Sequence, residues 1–356
     1  MKYLVERRFN NNYLRMKKTK ILVTGGAGFI GSHTVVELTA AGYDVVIADD
    51  LSNSDLGAVD GVREITGRYI PFEEVDCCDR AAMTGVFGRY DFDAVIHFAA
   101  SKAVGDSVRE PLKYYRNNLI SFVNVLELMR ERGVPNIVFS SSATVYGQPD
   151  ELPATEQSPR KPATSPYGNT KQICEDILRD SVAAYEGLNG IALRYFNPIG
   201  AHPSALIGEL PRGVPGNLVP FITQTAAGLH KELSVFGDDY NTPDGSALRD
   251  YIDVVDLAKA HVHALDRMLG GRQRERYEVF NIGTGVPVSV LELVRAFERV
   301  NGVKVPHRIA GRRAGDAEAV WADTSLANRE LGWKSERTLD QTLAAAWAWE
   351  RHLRGI

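Results

Sequence analysis

Two hydrophobic rhythms run along this chain. Short uninterrupted apolar runs recur between polar or glycine boundaries, and the stretches separating them carry apolar residues at helical spacing. Ile21-Leu22-Val23 makes the first run and Val45-Val46-Ile47-Ala48 the second. A third starts at Phe72 and ends at Cys77; residues 94–100, 136–142 and 190–197 give the fourth, fifth and sixth. Uninterrupted runs of this kind suit strands buried on both faces. Between them, Leu112, Tyr115, Leu119, Phe122, Leu126 and Met129 recur at helical spacing, with Pro111 suited to a first turn and Gly133 to a C-terminus. That stretch predicts a long amphipathic helix over 111–132, mostly facing the core and able to offer a surface to a second copy. Strands alternating with helices predict an α/β fold with a doubly wound parallel sheet.

The join between the first run and its helix carries the first chemistry. Thr24-Gly25-Gly26-Ala27-Gly28-Phe29-Ile30-Gly31 reads as strand, tight turn and helix start. Gly25 permits the turn, Gly28 lets backbone approach a pyrophosphate, and Gly31 lets helix and strand pack closely. The helix N-terminus offers N–H groups and a positive dipole end to phosphates. Asp49 closes the second strand, about 20 residues on, where a carboxylate accepts hydrogen bonds from an adenosine ribose and repels a 2′-phosphate. That favours NAD over NADP; the other reading of Asp49 is a strand-end turn acid. Leu51-Ser52-Asn53-Ser54 follows as a polar loop suited to wrapping the adenosine. Asp76 either faces the adenine or caps the helix beginning near Arg80. The small residues Ala99 and Ala100 would let a dinucleotide lie against backbone. His97, inside an apolar run, reads as a satisfied core histidine. Asn118 falls on the apolar side of its helix, so its amide needs a partner, with the cofactor edge as one candidate.

The fifth run ends in Ser140-Ser141-Ser142. Ligands of open parallel sheets sit beyond the carboxyl ends of strands, which places Ser142 at a substrate hydroxyl; three serines are also ordinary turn chemistry. Downstream, Tyr167 and Lys171 lie four apart and share a helix face. A nearby ammonium and an oxidised nicotinamide would both favour a phenolate, bringing Tyr167 toward ~7, where proton transfer is efficient.

From Pro198 the texture changes to prolines, glycines and shorter elements. Residues 20–197 are therefore expected to form a dinucleotide-binding domain. Residues 198–356 are expected to form a smaller substrate domain, with some segments returning to the first. Arg249 and Arg313 suit either a diphosphate or surface salt bridges. His261 and His263 lie two apart on a helix, against a metal pair. Residues 1–19 fit neither domain and lack the apolar core of a signal peptide. They read as a disordered leader, with Met16 an alternative start.

Composition narrows the partners. A net charge of −4 with interspersed signs gives no signal for nucleic acid or membrane binding. No run approaches the apolar length a membrane span needs. The three cysteines, Cys77, Cys78 and Cys174, have no metal-ligand spacing. Free thiols suit a reducing cytoplasm.

Taken together, these motifs resemble the UDP-glucose 4-epimerase family of the extended short-chain dehydrogenase/reductases. The resemblance runs from about Lys20 to Arg351. It is carried by residues 25–33, by Ser140-Ser141-Ser142-Ala143-Thr144-Val145-Tyr146-Gly147, by Ser165-Pro166-Tyr167-Gly168-Asn169-Thr170-Lys171, by Leu193-Arg194-Tyr195-Phe196-Asn197-Pro198, by Arg249-Asp250-Tyr251 and by Trp321-Ala322-Asp323. The Ser-Ala-Thr run separates such epimerases from related dehydratases, which carry acidic residues there. The resemblance implies NAD contacts from Phe29, Ile30, Asp49, Asp50, Leu51, Ser52, Asn53, Ser54, Asp76, Cys77, Phe98, Ala99, Ala100, Ser101, Lys102, Asn118, Lys171 and Phe196. It implies that Ser142 and Tyr167 flank the C4 hydroxyl of a UDP-sugar. It implies that Asn197, Asn217, Ser234, Val235, Phe236, Arg249, Arg313 and Asp316 hold that substrate. Asp50 departs from the family's usual Asn and adds negative charge beside the adenosine. Val320 stands where some members carry a tyrosine, which implies room for an N-acetylated sugar. The implied chemistry is oxidation and re-reduction at C4, with inversion, in a homodimer. The alternatives are an NAD-dependent dehydratase or decarboxylase of nucleotide sugars and a non-catalytic NAD sensor.

Overall fold

The structure, a computed structural model, describes residues 18–313 and 317–356. The leader reading, Met16 and Asp316 lie outside these residues. Seven strands form one all-parallel sheet: β1 (Lys20–Thr24), β2 (Asp44–Asp49), β3 (Phe72–Glu74), β4 (Ala94–His97), β5 (Asn136–Ser142), β6 (Asn189–Tyr195) and, from much later in the chain, β10 (Tyr277–Ile282). Their spatial order is β10-β6-β5-β4-β1-β2-β3. The winding reverses between β1 and β4, and that crevice is where such sheets bind ligands.

Helices cover both faces. α1 (Phe29–Ala40), α2 (Leu56–Thr66) and α8 (Val254–Leu269) lie on one side; α3 (Arg80–Arg89), α5 (Pro111–Arg132) and α6 (Pro166–Ala184) lie on the other, with the short α4 (Val104–Arg109) leading into α5. Side chains alternate along the strands, so each face buries its own apolar cluster: Ile21, Val23, Ile47 and Ile96 on one, Leu22, Val46, Val95 and Phe122 on the other. The helix expected at 111–132 forms with those bounds, Pro111 in its first turn and Gly133 closing it at φ 68°. α6 starts the same way, with Pro166 in the first turn and the Ser165 hydroxyl accepting the Gly168 N–H.

The remaining elements build a third apolar cluster around Ile222, Leu293, Phe297 and Trp347. They are β7 (Asn197–Ile199), α7 (Leu218–Ala226), β8 (Leu233–Phe236), β9 (Leu248–Asp253), β11 (Pro287–Ser289), α9 (Val290–Asn301), β12 (His307–Ala310), β13 (Ala319–Val320) and α10 (Leu339–Arg354). Two strand expectations change. The third strand stops at Glu74 rather than Cys77. The sixth run splits: β6 ends at Tyr195, and Asn197 begins β7, which leaves the main sheet to pair with β9, Asn197 opposite Tyr251. Pro198 has no N–H to give a sheet ladder, which suits that change of partner.

Candidate active site

The glycine turn sits at the carboxyl end of β1, against the start of the loop that follows β4. A Cβ on Gly25, whose φ is +70°, would stand 2.7 Å from the Ala99 nitrogen, and one on Gly31 only 2.2 Å from the Gly25 carbonyl oxygen. Both positions therefore need glycine. Gly28 opens α1 without a side-chain cap, so first-turn N–H groups stay available to an anion beside half-buried Phe29 and Ile30. Asp49 is 7% exposed. Its Oδ2 accepts the Ala27 N–H at 3.0 Å, while Oδ1 accepts the Leu51 N–H at 3.0 Å and the Ser54 hydroxyl at 2.6 Å. Asp49 thus ties the glycine turn to its own loop and keeps a lone pair on Oδ2 for a further donor. Burial pushes its carboxyl above the usual range, against the three hydrogen bonds. Asp50 instead accepts from the exposed Ser52, through its N–H at 2.9 Å and its hydroxyl at 2.7 Å. These groups fit a dinucleotide such as NAD.

Other expected contacts resolve more sharply. Asp76 accepts the Cys78 N–H at 2.7 Å, and it is Asp79 that caps α3, accepting from Ala82. Cys77 is buried among apolar side chains. Asn118 reaches the expected edge, but its amide is used up there. Its oxygen accepts the Ser101 N–H at 2.8 Å; its nitrogen donates to the Ser101 carbonyl at 3.1 Å and the Thr170 hydroxyl at 2.9 Å. It ties the loop of Phe98, Ala99, Ala100, Ser101 and Lys102 to α5 and α6. His97 is a core histidine, its Nδ1 2.8 Å from the Thr24 hydroxyl.

Beyond β5, Ser142, Tyr167 and Lys171 come together. Lys171 is 3% exposed, donates to the Ser140 carbonyl at 2.6 Å and lies 5.9 Å from the centre of the Tyr167 ring. Burial lowers its ammonium to about 8. Burial also pushes the Tyr167 phenol up to about 12, with the Ser142 hydroxyl pulling the other way. Without the nicotinamide that the expectation included, these side chains do not lower it: desolvation outweighs the Ser142 hydrogen bond. The Ser142 hydroxyl also accepts the Thr144 N–H at 3.2 Å.

The chain as a whole is similar to known proteins. The NAD dependent epimerase/dehydratase family matches residues 21–283. The chain belongs to that family. It is 53% identical over 330 residues to the UDP-glucose 4-epimerase of Bacillus subtilis, covering 93% of this chain and 96% of that one. The crystal structure of UDP-glucose 4-epimerase from Bifidobacterium longum with NAD+ and UDP superposes with a TM-score of 0.90 at 48% identity, over 94% of this chain and 98% of that one. A Stenotrophomonas maltophila UDP-glucose-4-epimerase with NAD and formylated UDP-arabinopyranose gives 0.91 at 48%, over 95% and 99%.

On the far side of the crevice, this epimerase/dehydratase chain presents a mixed set. Asn197 and Asn217 are exposed. Ser234 and Phe236 point away from the core, whereas Val235 is buried within the third cluster, so strand alternation leaves it only backbone to offer. Arg249 donates to the Leu248 carbonyl at 2.8 Å and has no ion pair among the described residues. Arg313 stacks over the Phe236 ring at 5.4 Å. Val320 lies opposite Arg249 in the ladder and packs with Phe196, Val145 and Tyr146. Buried Asp250 braces that wall by accepting N–H bonds from Thr284, Gly285 and Ala322.

Sequence reasoning missed four residues. Thr144, two after Ser142, has a buried hydroxyl with no protein partner. Glu175, one turn beyond Lys171, accepts the Ser141 hydroxyl at 2.5 Å and pairs with Arg194 at 2.6 Å; helical arithmetic from Tyr167 would have found it. Glu209 and Arg212 sit in an aperiodic loop that offered no signal. His261 and His263 turn to different neighbours, the Leu257 and Leu331 carbonyls.

Proposed function

We propose that this protein is a UDP-glucose 4-epimerase that interconverts UDP-galactose and UDP-glucose with NAD. The observation that carries this is buried Lys171 with Tyr167 beside Ser142 at the carboxyl end of β5, on the same edge of the parallel sheet as the glycine turn. The identity to named epimerases over nearly the whole chain supports it.

Residues 25–31, Asp49 and the loop at 98–102 would hold the dinucleotide. When bound, NAD supplies reversible oxidation at sugar C4, taking a hydride from one face and returning it to the other. Tyr167, as phenolate, takes the proton of the C4 hydroxyl and gives it back after the ketose has turned. Ser142 orients that hydroxyl and relays the proton. Lys171 holds a positive charge near the phenol and favours its ionised form. Arg249 and Arg313 hold the diphosphate while the sugar turns, by bidentate contacts to phosphate oxygens. Thr144 offers its unpartnered hydroxyl to the sugar.

Finer readings follow. The division near residue 197 is read as dinucleotide-binding and substrate-binding parts, with α8 and β10 returning to the first. The exposed Leu112, Ile120 and Val123 on α5 support a homodimer through that face. No helix of the described residues is long and apolar enough to cross a membrane, and the free thiols support a cytoplasmic setting. Valine at position 320 supports a second activity on UDP-N-acetylglucosamine.

The decisive assay incubates the protein with UDP-galactose and separates the products. UDP-glucose alone is expected. A product that has lost water or carbon dioxide would place the chain among the dehydratases or decarboxylases.

A further inference from the structure

Between β7 and α7 the chain runs as a loop, residues 201–217, from the substrate side across to the dinucleotide side. It touches that side in three places. The Leu206 carbonyl oxygen would lie 2.6 Å from a Cβ on Gly61, so loop and α2 pack backbone to backbone. The Glu209 carboxylate, 10% exposed, accepts the Lys102 ammonium at 3.1 Å. The same oxygen accepts the Asn217 amide at 2.6 Å, while the Glu209 carbonyl accepts the Trp349 indole N–H at 2.9 Å. Arg212 then spreads its guanidinium over two carbonyls, that of Ser52 at 3.1 Å and that of Ser54 at 2.6 Å.

The anchor points are not scattered. Residues 52–54 follow β2, and Lys102 follows β4; β2 and β4 are the strands on either side of β1. A segment fastened to both loops spans the crevice above the glycine turn. Arg212 also acts one residue away from the cofactor carboxylate, because the Ser54 hydroxyl donates to Asp49.

We infer that residues 201–217 are a strap that retains the dinucleotide, with Arg212 and Glu209 as its two positioning residues. Arg212 holds the loop at 52–54 closed and so keeps Asp49 aimed. Glu209 holds Lys102 toward the crevice and, by sharing one oxygen with Asn217, links that lysine to the substrate side. This rests on the reading that Asp49 and the loop at 52–54 hold the adenosine end of NAD. A planar two-donor fork matches two carbonyls in a way a single ammonium does not.

The test uses the NAD-loaded protein. Radiolabelled NAD is bound, excess unlabelled NAD is added, and loss of label is followed in wild type, Arg212→Ala, Arg212→Lys, Glu209→Gln and Asp49→Asn. Arg212→Ala and Glu209→Gln should each release label roughly 5–30-fold faster, the scale of a partly exposed charge-assisted contact. Arg212→Lys should recover only part of the retention. UDP affinity of NAD-loaded Arg212→Ala should match wild type. Release within about twofold of wild type in Arg212→Ala, with faster release in Asp49→Asn, overturns the strap and leaves the Asp49 reading standing. Unchanged release in Asp49→Asn removes the adenosine reading and this inference with it. Parallel loss of UDP affinity in Arg212→Ala assigns a general packing role and also overturns the strap.

Discussion

Replacing Lys171 by methionine keeps a stem of similar volume in a buried slot and removes the charge. In the native protein the ammonium is held by the Ser140 carbonyl at 2.6 Å and by the faces of Phe139, at 4.9 Å, and Tyr167, at 5.9 Å. Two unit charges ~6 Å apart interact by ~3 kcal/mol at an effective dielectric constant of about 20. That is about two pH units in the acidity of the phenol. Burial already drives Tyr167 up to about 12, so it depends on opposite charge to ionise. In the proposed mechanism the working form is the phenolate, so turnover is expected to rise with pH through the pKa of Tyr167. Without the ammonium that pKa rises. The rising limb should therefore move about two units to higher pH, with turnover on its acid side reduced ~100-fold and the difference closing at alkaline pH. The measurement is UDP-galactose turnover across the neutral and alkaline range, at saturating NAD with bound cofactor quantified. A limb that keeps its wild-type position while only the plateau falls would refute the electrostatic role and leave Lys171 a cofactor contact alone.

Four further outcomes are expected. Tyr167→Phe should lower turnover by ~10²–10⁴-fold, the usual share of general acid–base catalysis, with NAD still bound at wild-type stoichiometry; unchanged turnover would remove Tyr167 from the chemistry. Asp49→Asn should narrow the preference for NAD over NADP by at least about tenfold in binding titrations, since it removes a repulsive charge from the ribose site. Gly31→Ala should release NAD and lower the Tm, because its Cβ would meet the Gly25 carbonyl oxygen at 2.2 Å and overpacking of this kind costs ~1–3 kcal/mol or more. Val320→Tyr should suppress turnover of UDP-N-acetylglucosamine while sparing UDP-galactose, in parallel assays; a wild type inactive on the acetylated sugar would show that neighbouring side chains already fill the space.

The parts of this molecule that were legible in the sequence are those where one residue type answers one local demand. α5 carries its apolar stripe, its proline and its glycine on the surface of the sequence, and it forms with the expected bounds. The glycine turn is legible for the same reason: no side chain fits where Gly25 and Gly31 stand. Legibility failed where partners are far apart in the chain. Asn118 needed a partner, and the sequence offered the cofactor edge as one candidate. The protein partners it could not show are Ser101 and Thr170, 17 and 52 residues away. The burial that pushes the Tyr167 phenol up was not legible, because charge can be read from spacing, whereas desolvation depends on everything packed around the ring. For Val235, implied as a substrate contact, the strand's alternation turns the side chain into the third cluster and leaves the backbone for a ligand. Glu209 and Arg212 act across distances of 107 and 158–160 residues from a loop without periodicity; nothing local marks them.

The geometry at β5 explains why a strand and a helix make a better frame for the proposed catalytic residues than loops would. Three consecutive residues at the end of β5 meet three residues one turn apart on α6. Lys171 takes the Ser140 carbonyl, Glu175 takes the Ser141 hydroxyl, and Tyr167 lies beside the Ser142 hydroxyl. Alternation sends the Ser141 side chain to Glu175 on α6 and that of Ser140 toward Tyr195, while Ser142, the last residue of the strand, turns its hydroxyl to Tyr167. The strand therefore grips the helix by side chain and by backbone at once. Glu175 could not hold Ser141 as a lone buried charge, since burying an unpaired carboxylate is costly. Arg194 meets that demand with two bonds, 2.8 Å to one oxygen and 2.6 Å to the other. It does so from β6, where it is the ladder partner of Ser141 itself. Sheet ladder, ion pair and helix face thus close a loop of contacts behind the reacting groups. A displacement of Tyr167 relative to Ser142 would have to break a buried ion pair or slide one strand of a central parallel ladder. Catalytic geometry lost by about 1 Å can cost 10²-fold in rate, and this arrangement makes that displacement expensive before any ligand arrives.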